Sequence, residues 1–84
     1  MRTIYKYPIV IQPRQVLPLP DDYKILHIEL QDGVPCLWAD IDTENPITNC
    51  VILMFGTGWE LPRSPIAHIA TLQVGIYVWH FYTI

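Results

Sequence analysis

Charge is what this chain has least of. Only 15% of its 84 residues are charged, and eight acidic against five basic residues leave a net charge of −3. An average soluble chain carries about a quarter. A duplex nucleic-acid binder needs a basic footprint for the phosphate backbone, and this composition offers none. Long apolar runs are missing too. The longest, Val51 to Phe55, has the length of a strand and falls far short of the roughly 18 residues of a membrane helix. No apolar segment follows the opening Met1-Arg2-Thr3-Ile4-Tyr5-Lys6, so neither a secretory signal nor a membrane partner is expected, and the cytoplasm is the expected location. The two cysteines, Cys36 and Cys50, lack C-x-x-C spacing, and His27, His68 and His80 are scattered. Reduced, buried thiols are expected, with no metal site.

Catalytic signatures are equally scarce. Gly56-x-Gly58 lacks the Gly-Lys-Ser/Thr ending of a phosphate loop, and no helix follows it. Ser64, with Pro62 and Pro65 around it, has no nucleophile-elbow setting. A Cys36–His27 dyad would be diagonal across a strand pair, without evident oxyanion donors. Asp21-Asp22 reads as a turn, and Asp40, Asp42 and Glu44 as solvated. His68 and His80, on apolar strands, read as satisfied interior or interface residues. The chain is therefore not expected to be an enzyme or to carry a cofactor.

What is present is strand-forming. Hydrophobic residues make up 51% of the chain, and eight prolines exclude helix interiors. Ile, Val, Thr and aromatic residues suit a pleated surface. Strands are expected over Thr3–Ile11, Arg14–Leu19, the two arms of Tyr23–Ile41, Cys50–Phe55, Ile66–Leu72 and Ile76–Ile84. Pro8 and Pro18 mark the first two as edges. Asp32-Gly33 is the preferred pair of a type I′ turn. A two-residue turn there pairs His27 with Trp38 and Leu26 with Ala39. It sends Leu26, Ile28, Leu30, Leu37 and Ala39 to the core, and His27, Glu29, Cys36 and Trp38 to the other face. At the last hairpin, Val74-Gly75 suggests a type II turn or a bulge. Short connections let sequence neighbours pair. The expected fold is all-β: one domain over residues 1–84, a single small antiparallel β-barrel or two-layer β-sandwich of six or seven strands. So small and apolar a chain is expected to form a homo-oligomer.

The segment Gly56 to Pro65 is the candidate binding site. Its structural reading is a corner where backbone passes close to a neighbouring strand, with Trp59 capping one end of the domain. Its functional reading is a rim. Gly56 and Gly58 would let backbone N–H groups approach an anion, Thr57 would add a hydroxyl, and Trp59 would stack on a base. Arg63, held between Pro62 and Ser64-Pro65, would engage a phosphate with little further loss of freedom. His27 and Trp38 form a secondary surface candidate.

Several blocks carry a resemblance: Thr3-Ile4-Tyr5-Lys6-Tyr7-Pro8, Gly33-Val34-Pro35-Cys36-Leu37-Trp38-Ala39, Phe55-Gly56-Thr57-Gly58, and Gly75 with Val78-Trp79-His80. Over nearly its whole length the chain resembles a family of small, uncharacterised phage and prophage proteins, about 80–95 residues long. Members of that family usually carry His where this chain has Trp59. The resemblance implies viral origin and a role as an accessory protein in the host cytoplasm; it implies no activity. The function expected is a binding protein that interferes with antiphage defence, sequestering a nucleotide-type signal or masking a host defence protein. The alternative is a structural or assembly accessory of the virion, acting through protein contacts alone.

Overall fold

A computed structural model describes all 84 residues. Seven strands and no helix make up the chain: β1 (Arg2–Pro8), β2 (Arg14–Pro20), β3 (Lys24–Gln31), β4 (Val34–Asp42), β5 (Ile47–Gly56), β6 (Ala67–Val74) and β7 (Tyr77–Thr83). They form two sheets, ordered β1-β4-β3 and β2-β5-β7-β6, with every pairing antiparallel. The sheets do not close into a barrel; the arrangement is sandwich-like, and 16 Å in its thinnest dimension. Pairing in sequence order holds only for β3–β4 and β6–β7. The chain instead crosses between the sheets three times, from β1 to β2, from β2 to β3 and from β4 to β5, and so brings the apolar faces of the two layers together.

The Asp32-Gly33 hairpin has the expected register from Gln31–Val34 to His27–Trp38. Both turn residues have positive φ, 51° and 79°, as a type I′ turn requires. Leu30 and Pro35 face each other, and the Pro35 carbonyl still accepts the Ile9 N–H at 2.9 Å. Beyond His27 the register shifts, so that Ile25 rather than Leu26 opposes Ala39. Leu26, expected in the core, is exposed, and Ile25 packs against the core in its place. The extra residue is a β-bulge on an edge strand, a common device for blunting an edge. Cys36 lies on the expected face, opposite Glu29 and outside the core cluster, and is buried there, as a thiol was expected to be. In the last hairpin, Val74 pairs with Tyr77, so the turn residues are Gly75 and Ile76. Only Gly75 has positive φ, at 62°, the pattern of a type II′ turn.

Pro8 and Pro18 do lie in edge strands. β5 begins earlier than the sequence suggests, at Ile47, which pairs with Pro20. One core joins the two sheets. Leu37, Ala39 and Ile41 of β4 meet Cys50, Ile52 and Met54 of β5, with Ile9, Leu19, Ile28, Leu72 and Phe81 completing it. No polar or charged side chain is buried, and no buried polar atom lacks a partner.

Candidate functional site

β5 pairs with β2 only as far as Leu53, opposite Arg14, while β7 follows it to Gly56. Past that point the Met54 N–H still reaches the Pro13 carbonyl at 2.9 Å, and then the flank of β5 is open. The connection to β6 must skip over β7, and its first part runs along this open flank. A turn closed by Trp59 N–H to the Gly56 carbonyl, at 3.1 Å, starts it, and Gly58 takes φ +88°. The result is a surface cleft of about 630 Å³ lined by Pro13, Leu53, Phe55, Trp59, Leu61 and Arg63, together with Met54, Glu60 and Pro62. That size suits a small molecule.

Trp59 and Arg63 thus line one cleft. Gly56, Thr57 and Gly58 do not; they line an adjoining recess of about 210 Å³ with Phe55, Trp59, Leu61, His80 and Tyr82. Trp59 has a packing role as well. A Cβ on Gly56 would lie 2.8 Å from its indole, so the missing side chain of Gly56 is the seat of Trp59. The close neighbour of that glycine is therefore a side chain rather than a strand backbone. The indole also meets Trp79 edge-on at 5.6 Å, and Trp79 stacks on Tyr77 at 5.6 Å. Half of Trp59 (51%) nonetheless remains exposed. The capping and ligand-facing readings are compatible in one residue.

The secondary pair stays apart from this region. His27 and Trp38 are cross-strand neighbours in the three-stranded sheet, with ring centroids 6.0 Å apart, and His27 Nε2 lies 2.6 Å from a Glu29 oxygen. Neither residue lines a cleft around Trp59.

A second cluster was not expected from the sequence. On the outer face of the four-stranded sheet, Thr57 Oγ1 lies 2.8 Å from His80 Nε2, and His80 Nδ1 lies 3.1 Å from Thr71 Oγ1. Thr71 Oγ1 in turn lies 2.9 Å from His68 Nε2. Tyr82 stands edge-on to both Phe55 and His68. Residues 68 and 71 would point to opposite faces of a regular strand, because side chains alternate. A bulge at Ile69 restores them to one face, by pairing His68 with Tyr82 and Thr71 with His80. The signal in the sequence was faint: His80 and Tyr82 share a face by alternation, but the β5–β7–β6 register that adds Thr57, Thr71 and His68 is non-local. No group of three metal-ligating side chains is assembled anywhere in the chain.

Residues 1–84 match a family described as a domain of unknown function, DUF7352, and the chain belongs to that family. No curated protein and no solved structure matches it.

Proposed function

We propose that this chain is an accessory binding protein of phage origin, without catalytic activity. In this reading it works in the cytoplasm of the bacterial host as a homo-oligomer. It interferes with antiphage defence by sequestering a nucleotide-type signal in the cleft between Pro13 and Arg63, rather than by masking a host defence protein. One observation carries the reading: a half-exposed indole and a guanidinium line the same apolar cleft of about 630 Å³. The indole face suits a base, and the guanidinium suits a phosphate. Arg14 stands on the same sheet face as Leu53 of the cleft wall and adds a second cation nearby.

The test is titration with nucleoside monophosphates, followed by tryptophan fluorescence. Stacking of a base is worth roughly 1–3 kcal/mol, so Trp59→Ala should weaken binding about tenfold or more. Arg63→Ala should weaken the nucleotide but not the nucleoside. Loss of binding with an unchanged melting temperature supports the site. Retained binding with a lowered melting temperature makes Trp59 a structural cap only. The alternative reading, a virion accessory acting through protein contacts, draws on the tip of the last hairpin, where Ile76 is 88% and Tyr77 58% exposed. Co-sedimentation with virions, without nucleotide binding, would favour it.

A further inference from the structure

The four-stranded sheet is electrostatically unlike the rest of this acidic chain. All eight carboxylates lie outside β2, β5, β6 and β7, whose one charged residue is Arg14. On the outer face of that sheet lies the file Thr57–His80–Thr71–His68, with Glu60 facing the neighbouring cleft, and its Thr57 end opens on the recess of about 210 Å³. We propose that this recess is an anion subsite for a tetrahedral oxyanion such as the phosphate of a nucleotide, and that His80 takes up one proton as the anion binds. The proposal rests on the nucleotide reading of the adjoining cleft and deepens it, since the two concavities share Phe55, Trp59 and Leu61 as a common wall.

The proton bookkeeping follows from the donors available. A neutral imidazole has one N–H and a threonine hydroxyl has one O–H. With Thr57 donating to His80 Nε2, the imidazole proton sits on Nδ1 and is donated to Thr71 Oγ1, whose hydroxyl donates to His68 Nε2. A proton taken from solvent onto His80 Nε2 reverses only the first of these bonds. Nε2–H then donates to Thr57 Oγ1, and the Thr57 hydroxyl proton turns toward the recess. The site gains a positive charge and a donor aimed at the ligand together, and no other bond in the file changes direction. Hydrogen bonds of that charged kind are the stronger ones. The groups facing His80 allow it. β5 contributes Phe55, β6 contributes Thr71 and His68, β7 contributes Tyr82, and the loop contributes Thr57; the nearest charged residues of the loop, Glu60 and Arg63, line the neighbouring cleft. Gly58, at φ +88° with nothing within 4 Å of where a Cβ would stand, leaves the rim open to an incoming anion.

Sulfate is the direct probe, because its charge is constant over the range in which histidine titrates. Amide and imidazole NMR shifts of the full chain should show sulfate moving Thr57, Gly58 and His80, with affinity about tenfold higher at about pH 5.5 than at about pH 8. His80→Gln keeps a donor at the Nε2 position and should abolish that pH dependence; Thr57→Val, which leaves the imidazole in place, should weaken sulfate at the lower pH. Sulfate shifts elsewhere on the surface, or an unchanged pH dependence in His80→Gln, would overturn the proposal. Adenosine and adenosine 5′-monophosphate separate it from the cleft reading. If the monophosphate binds at Trp59 without pH dependence and His80→Gln is indifferent, the subsite fails and the cleft stands. If sulfate behaves as described while neither adenosine compound perturbs Trp59, the cleft fails and the subsite stands.

Discussion

The two sheets are held in register by different means. In β1-β4-β3, the turn at Asp32-Gly33 dictates the pairing of its neighbours, and β1 is added with a bidentate ion pair, Arg2 Nε and an Nη to the two Asp40 oxygens at 2.9 and 2.7 Å. In β2-β5-β7-β6, only β6–β7 is a hairpin, and β2–β5 and β5–β7 join distant segments. The first sheet carries all the strand charges except Arg14, and the second carries two of the three histidines, His68 and His80. Within each sheet the hairpin is specified locally, while β1–β4, β2–β5 and β5–β7 join distant segments, and it is on the four-stranded sheet that the polar file of Thr57, His80, Thr71 and His68 is gathered.

The severest way to break this contrast is to attack the core that both sheets share. Leu37 of β4 and Phe81 of β7 are each fully buried. Truncating such residues to Ala costs about 2–5 kcal/mol, a large part of a total near 5–15 kcal/mol. Leu37→Ala and Phe81→Ala should each lower the urea midpoint sharply, with tryptophan fluorescence and circular dichroism changing together. Separate transitions, one sheet melting before the other, would show that the sheets are independent units.

A milder test stays within the four-stranded sheet. Gly56→Ala places a methyl group 2.8 Å from the Trp59 indole, which must move off Trp79. Overpacking of this kind costs about 1–3 kcal/mol, and the tryptophan emission should change with it. Gly33→Ala in the other sheet meets no neighbour and strains only its positive φ, worth about 1–2 kcal/mol. It should lower the melting temperature and leave the emission as it was. An emission change in both variants, or in neither, would remove Gly56 as the seat of Trp59.

Legibility in the sequence followed the same division. Asp32-Gly33 announced its turn type and the His27–Trp38 pairing because a type I′ turn is a two-residue problem. Pro8 and Pro18 announced edge strands because a missing N–H is a property of one residue. The shared cleft of Trp59 and Arg63 was foreseeable, since both belong to one short loop. Strand order was not, because it is decided by which faces bury each other across the sandwich. Nor were the bulges at Leu26 and Ile69, which hydrophobic alternation cannot reveal: one sent Leu26 outward, and the other brought His68 and Thr71 to one face. His80 reads from the sequence as a satisfied interior or interface residue, although it is the residue on which the polar file turns.

The smallest effect expected separates the surface ion pair of the three-stranded sheet from its contact with the other layer by pH. Hydrogen bonds from the Arg2 guanidinium hold the Asp40 carboxyl below its ordinary value. A carboxylate so held contributes stability above the unfolded value near 4, and the contribution is lost as pH falls through the folded value. The pair is solvent-exposed, so the loss is modest. Asp40→Asn should flatten the acid limb of the stability curve slightly. The four-stranded sheet has no carboxylate to lose, and the alkaline response lies with phenols of the other layer, Tyr7 in β1, raised by burial, and Tyr23 where the sheets meet. Tyr23, just before β3, has its phenol pushed up to about 12, chiefly by the Cys50 thiol of β5 beside it and then by burial. A raised phenol contributes stability in full below about pH 10, and loses it as pH climbs toward the folded value. Tyr23→Phe should reduce the alkaline slope to the share of Tyr7 and leave the acid limb untouched, whereas Asp40→Asn should act on the acid limb alone. Thermal melts from acid to alkali on the two variants read both. If either substitution altered both limbs, the acid and alkaline responses would not be assignable to Asp40 and Tyr23 separately.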